Sequence, residues 1–485
     1  MPEITNKRLD EESFLASRKQ VLDMWPTGRE VDLEESIEHH RSLMQRGRNV
    51  ALKLQDARTR GQILLQPRAG VATVEQNLEL LKYLGDFGSA DILPLTADSC
   101  TRNLRFKDAE RAIRESQKQG RSLLTGFPLV NHGVGKTRML VDALSTPMEL
   151  RAVSVDRRLT LEIALASGCS ASTAGPIAPA MYFAKDYPLE EGLRNHQYVH
   201  RLAAYYQERG IPIQLSTHGL LPHACLPPSP IISAMVLESL MMAEQGVKYI
   251  SNDLITNGSL VQDIAALLVC NEMVKDYLGR QGYDDVTVFS VCSPWNGAFP
   301  EDVARSYALI GYLTIPALWG RADEVLTRSV DQGQNLPTKE LNAAGMRATR
   351  MMINLLKDQR PFTNPDVEIE VAAIRREVRS LVDRSLELGE GDAASACLMA
   401  FEHGLLPVPF TSNRRYAKWA ANVMGVRDAQ GAFRFVDFGN VPLDAVSKEF
   451  HTEKVKERAQ LENREIDYDI LVQSMLSISE GTLVR

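Results

Sequence analysis

The sequence predicts an α/β fold, a (β/α)8 TIM barrel, and three observations carry that expectation. From about residue 61, short apolar runs alternate with amphipathic helical stretches. Eight such units fall within roughly 270 residues, the length of one closed barrel. The runs are short and largely apolar, as suits strands covered by helices on both faces. An open dinucleotide-binding sheet fits less well, because no G-x-G-x-x-G follows the first run.

Taken in order, residues 1–60 are charged and helical in pattern, with a turn at Trp25-Pro26-Thr27-Gly28. They read as an N-terminal helical extension. The predicted strands are residues 61–68, 90–98, 122–129, 150–155, 167–173, 212–217, 247–253 and 286–292. Helical stretches between them include Val74–Leu84, Ala109–Gln117, Arg158–Ala166 and Gly192–Glu208. Two more helical stretches, 302–313 and 342–357, follow the eighth unit. A break at Arg360-Pro361-Phe362 and Asn364-Pro365 closes the barrel at 61–360. Residues 361–485 then form a smaller C-terminal helical and α+β region. It opens with Val367, Val371, Ile374, Val378, Leu381, Ser385 and Leu388 along one helix face, which is expected to pack on its own domain.

Composition narrows the function. The 485 residues are 44% hydrophobic and 24% charged, ordinary values for a large core. A formal net charge of −7 argues against a nucleic-acid or anionic-membrane partner. The apolar stretch 231–243 is interrupted by Glu238 and is too short to cross a bilayer. The N-terminus lacks the basic and apolar regions of a secretory signal. Six scattered cysteines without a C-x-x-C pair read as reduced, mostly buried thiols of a cytoplasmic protein.

Barrel enzymes build their sites where strands end, so polar residues there are the candidates. Arg68 closes the first predicted strand, Arg102 follows the second, and Arg151 opens the fourth. A guanidinium fork binds carboxylate or phosphate oxygens in pairs, so three at one mouth would suit a dianion. His196 and His200 have the spacing of a metal pair but no third ligand, which favours a helix surface or core. Gly133-Val134-Gly135-Lys136-Thr137 resembles the end of a P-loop, yet Val130 stands where its first glycine is required. Asp156 and Glu162 are candidate bases with nothing evident to pair them. No metal site and no nucleophile elbow emerge.

Longer blocks carry a resemblance. Gln66-Pro67-Arg68-Ala69-Gly70-Val71, then Leu93-Pro94, Thr96, Asp98 and Thr101-Arg102, then Gly126-Phe127-Pro128 with Asn131, resemble the large (epsilon) subunit of glutamate mutase, or methylaspartate mutase. Trp25-Pro26-Thr27-Gly28, 243–248, 262–267, Pro337-Thr338-Lys339-Glu340 and Phe438-Gly439-Asn440-Val441-Pro442 match in the same order, so the resemblance spans nearly the whole chain. It implies the catalytic subunit of an adenosylcobalamin-dependent carbon-skeleton mutase, performing a radical 1,2-rearrangement. The implied partner is a separate small cobalamin-binding subunit with a D-x-H-x-x-G motif, which this chain lacks. The implied assembly is a heterotetramer containing a homodimer of large subunits.

The resemblance assigns the carboxylate grip to Arg68, Arg102 and Arg151. It assigns adenosyl contacts to Gly70, Thr125, Tyr182, Phe299, Arg328, Gln332 and Leu336. Arg328, Gln332 and Thr125 stand where lysine, glutamate and asparagine are usual, and all can still hydrogen-bond. The substrate pocket departs further. Thr173 replaces the glutamate that meets the substrate ammonium, Pro179 and Phe183 replace two tyrosines, Ala152 replaces a histidine, and Leu215-Ser216 replace an Arg-Glu pair. The resemblance therefore supports a glutamate mutase, whereas Thr173 supports a mutase for a different carboxylic acid, unless His218 reaches the amine. A non-catalytic scaffold for a cobalamin-binding subunit is the remaining reading.

Overall fold

The computed structural model describes residues 4–173, 175–220, 225–331, 338–359, 364–420 and 423–484. Among these, eight parallel strands run as β1 (Leu64–Gln66), β2 (Leu93–Thr96), β3 (Met148–Arg151), β4 (Ala171–Thr173), β5 (Gln214–Thr217), β6 (Tyr249–Ile255), β7 (Thr287–Ser293) and β8 (Glu324–Leu326). Their order is β1-β8-β7-β6-β5-β4-β3-β2, and β1 pairs with β8 from Leu64 opposite Glu324. The amides of Asp91 and Ile92 donate to the Leu65 carbonyl at 2.9 and 3.2 Å, bringing β1 beside the start of β2. The sheet thus curls almost fully into the expected barrel, with helices around it.

Two strand assignments change. Residues 122–129 form no strand, because β2 pairs directly with β3 and leaves no free edge between them. The segment touches the sheet only at a bridge between Ala97 and Phe127, and Gly126 turns there with φ of 156°. The eighth strand is instead β8. It spans three residues flanked by Asp323 and Thr327, too short and too polar at its ends to register as an apolar run.

The N-terminal extension determines which end of the barrel is open. Helix Val50–Thr59 packs Val50, Leu54 and Ala57 against Leu64, Ile92, Ala171 and Phe289, at or near the strand beginnings. It plugs the bottom and leaves the C-terminal mouth accessible. Helix Pro365–Leu388 packs against the barrel helices Pro228–Glu244 and Leu260–Arg280, not within the C-terminal region alone. The remaining elements include an antiparallel pair, β9 (Met424–Arg427) and β10 (Phe433–Asp437). This pair is tied to the segment following β6: Arg427 Nη2 donates to the Asn257 carbonyl at 2.7 Å, and Gln262 exchanges two hydrogen bonds with the Phe433 backbone. All six cysteines are free and buried. Among the described residues no helix is long and apolar enough to cross a membrane.

Candidate active site

The interior of this barrel is polar where barrels are usually packed with branched apolar side chains. Arg151 on β3 reaches Gln66 on β1 and Asp253 on β6, neither strand its neighbour, so these groups meet inside. Arg151 is the last residue of the third strand; it does not open a fourth. Arg68 follows β1, and its carbonyl accepts from Asn342 Nδ2 at 2.9 Å. Arg102 ends a one-turn helix, Ser99–Arg102. Asp98 caps that turn, accepting from the amides of Cys100 at 2.8 Å and Thr101 at 3.1 Å.

The three guanidinium groups lie close enough to repel. Burial and the charges of Arg151 and Arg102 push Arg68 down to about 10, still protonated at neutral pH. Solvent nevertheless reaches Arg68, as expected for a side chain in a concave opening. Arg328, after β8, joins the group and is pushed down to about 9 by burial, Arg68 and Arg151.

Their partners differ. Arg151 Nη1 donates to Gln66 Oε1 at 2.8 Å and to Glu149 Oε1 at 3.2 Å, while Nη2 donates to Asp253 Oδ2 at 2.9 Å. Burial opposes this charge, but Glu149 and Asp253 hold Arg151 above its ordinary value. Burial likewise opposes the Asp253 charge, yet His218, Arg151 and the Ser293 hydroxyl hold Asp253 well below the usual carboxylate range. Among the described residues neither Arg68 nor Arg102 makes an ion pair, although the charges of Asp253 and Asp98 act on them from farther away, and the buried Arg102 Nε has no hydrogen-bond partner.

Thr173 is 1% exposed, and its hydroxyl donates to Glu149 Oε1. A carboxylate therefore lies beside the position where the chain lacks one. Glu149 carries no motif of its own, but its place two residues before Arg151 in Met-Glu-Leu-Arg puts both on one strand face. Pro179 is buried, Tyr182 half-buried and Phe183 exposed, on a turn of π-helix, Pro179–Phe183. Thr411 and Asn413 hold that turn through the Met181 and Ala180 carbonyls, at 2.6 and 2.9 Å. Ala152 is buried after β3, and Leu215 and Ser216 are buried within β5, the fifth strand and not the sixth.

A family model described as methylaspartate mutase E chain matches residues 44–485. Proteins called glutamate mutase epsilon subunit are similar over nearly their whole length. That of Desulfitobacterium hafniense (strain Y51) is 38% identical over 99% of both chains. That of Haloarcula marismortui is 38% identical, covering 99% of this chain and 96% of its own. That of Escherichia coli O157:H7 is 36% identical over 99% of both. The chain belongs to the methylaspartate mutase E chain family.

Within that family frame, the positions assigned to an adenosyl group can be tested for fit. Arg328 Nε donates to the carbonyls of Pro294 at 2.8 Å and Trp295 at 3.2 Å, and Nη2 also binds the Pro294 carbonyl. Its Nη1 is buried with no partner, a fixed donor aimed at nothing in the described chain. Phe299 is buried with Trp295, Ile310 and Leu313. Gly70 leaves no room for a side chain: a Cβ there would lie 2.9 Å from Gly126 Cα and 3.0 Å from the Thr96 carbonyl oxygen. Thr125 is exposed on the adjoining loop. These residues suit a nucleoside, with an unused donor, an apolar wall and close-packed backbone. Gln332 and Leu336 lie outside the described residues.

The other candidates resolve into structure. His196 and His200 are buried in helix Leu189–Gln207; burial pushes His196 down to about 3 and His200 well below its usual value. The P-loop-like glycines sit in a kinked helix, Leu129–Asp142, where Gly133 has φ of 74° and a Cβ would meet the Glu30 carboxylate at 2.5 Å. Asp156 and Glu162 do have partners. Asp156 pairs with Arg158 at 2.7 Å, and Glu162 pairs with Arg18 at 2.9 Å and accepts from Tyr198.

Proposed function

We propose that this chain is the large catalytic subunit of an adenosylcobalamin-dependent carbon-skeleton mutase acting on a carboxylic acid. The observation that carries this reading is the pair Arg68 and Arg102, two guanidinium groups that make no ion pair among the described residues, at the mouth of a barrel of this family. Adenosylcobalamin, when bound, supplies the radical that begins the rearrangement. The chain's own residues bind, orient and shield. Arg68 and Arg102 grip a substrate carboxylate, Arg151 stands behind them on its Glu149 and Asp253 supports, and Arg328, Phe299, Tyr182, Gly70 and Thr125 hold the nucleoside, with Gln332 and Leu336 completing that set by resemblance. A small cobalamin-binding subunit covers the mouth, in a heterotetramer with paired large subunits in the cytoplasm.

The pocket around Thr173 favours a substrate other than glutamate. The Thr173 hydroxyl is already committed to Glu149, and Pro179 and Phe183 offer no charge to an ammonium group. The test is reconstitution with a small D-x-H-x-x-G subunit and adenosylcobalamin, following conversion of glutamate to 3-methylaspartate by mass. The complex should show mutase activity that the chain alone lacks, with glutamate turned over poorly beside other carboxylic acids. Absence of rearrangement with every carboxylic acid tried would overturn the mutase reading. Efficient glutamate turnover would overturn the altered substrate.

A further inference from the structure

Asp253, the carboxylate that holds Arg151, also faces a histidine. His218 follows β5, and its Nδ1 is buried 3.7 Å from Asp253 Oδ2, a little beyond direct hydrogen-bond distance. The same Oδ2 accepts from Arg151 Nη2 at 2.9 Å and Oδ1 accepts from the Ser293 hydroxyl, so the carboxylate is held in place. The backbone of His218 is also fixed. Glu238, the charge that interrupts the apolar stretch 231–243, accepts from the amides of His218 at 2.9 Å and Gly219 at 3.0 Å. Gly219 has φ of 54°, and a Cβ there would strike the Ile231 carbonyl oxygen at 2.8 Å, so the turn is built to hold its shape. A buried Nδ1 facing a carboxylate keeps the proton on that nitrogen and leaves Nε2 as an acceptor. Among the described residues Nε2 has no partner and is not buried.

We propose that His218, oriented by Asp253, is a specificity-determining residue of the substrate site. Its Nε2 accepts a hydrogen bond from a donor on the carbon beside the carboxylate held by Arg68 and Arg102. The donor is a hydroxyl or an ammonium group. This rests on the proposed carboxylate site and extends it to the neighbouring substituent, which Thr173, Pro179 and Phe183 leave unaddressed.

The test is calorimetric titration of the full chain with glutarate, 2-hydroxyglutarate and glutamate, for the wild type and the H218F and H218Q variants. One donor-bearing acid should bind the wild type about tenfold more tightly than glutarate, a difference of one good hydrogen bond. Whether that acid is the hydroxy or the amino compound identifies the donor. In H218F the two should bind alike, with glutarate itself unchanged, whereas H218Q, which retains an acceptor, should restore part of the difference. A merely structural role for His218 would weaken all three acids together and overturn the proposal. So would a preference that survives in H218F, or glutarate binding as tightly as both others to the wild type. Failure of any acid to bind, or binding unchanged in the R68M variant, would instead overturn the carboxylate site on which the proposal rests.

Discussion

Arginines cluster with charged neighbours in two regions of this molecule, one closed and one open to solvent, and their partners separate them. In the C-terminal region Arg434 is enclosed by carboxylates: Nε meets Asp428 Oδ2 at 2.7 Å, Nη1 meets Glu370 Oε2 at 3.0 Å, and Nη2 also meets Glu370. Burial opposes its charge, but these carboxylates hold Arg434 above its ordinary value. At the barrel mouth Arg68 makes no ion pair among the described residues; Arg151 and Arg102 press on it, and the more distant Asp253 offsets this only in part. A saturated, buried guanidinium secures the fold, while one that faces solvent without an ion pair is free to take a bound anion. Arg151 lies between the two, charged toward the mouth yet held by Glu149 and Asp253.

Stability should break the comparison first if it is wrong. Arg434→Met strands Glu370 and Asp428 in the interior and should cost about 3–5 kcal/mol in denaturant unfolding. Arg68→Met removes a repelled charge and should leave stability unchanged or slightly raised. Equal losses in the two variants would erase the distinction.

Histidines extend the same contrast. His40 is buried, and burial pushes it down to about 4. A folded-state value below the ordinary 6.5 contributes stability that is complete at neutral pH and lost as pH falls from about 6.5 through about 4. The loss should be on the order of 3 kcal/mol for this residue. Unfolding curves collected from pH 7 to 4 should flatten in His40→Gln; an unchanged slope would show that burial does not keep this ring neutral.

Catalysis sharpens the arginine side. Arg68→Lys or Arg102→Lys keeps the charge and loses the fork, which should cost about 1.5–3 kcal/mol, or roughly ten- to a hundredfold in kcat/KM of the reconstituted enzyme. Unchanged kinetics in both would remove them from the substrate grip. The smallest effect expected is at Gly133. Ala there must adopt positive φ and displace Glu30, at about 1–2 kcal/mol of stability. Phosphate affinity would have to change instead for the P-loop likeness to matter.

Much of this was legible in the chain itself, and the failures have physical causes. Apolar runs revealed most strands because a sheet covered on both faces needs them. Residues 122–129 have the same composition but pack as a loop, since pairing partners are a tertiary fact that composition does not carry. β8 leaves no such trace, because three residues between polar neighbours make no run. Arg68, Arg102 and Arg151 were readable as strand-end residues. Glu149 and Asp253 carry no signal in the sequence, because a carboxylate inside a strand becomes informative only once the strands around it are known. Asp156 and Glu162 looked unpaired because Arg158 lies too near and Arg18 too far along the chain to suggest the pairing.

The most direct measurement is thermal unfolding of the full chain with increasing glutarate, a plain dicarboxylate, for the wild type and an R68M/R102M double variant. A ligand that binds only the folded state raises the midpoint with concentration. The midpoint of the wild type should climb, and that of the double variant should stay flat from a similar or higher starting value. Equal rises in both proteins, or no rise in either, would contradict the claim that these two arginines are held open for a substrate carboxylate.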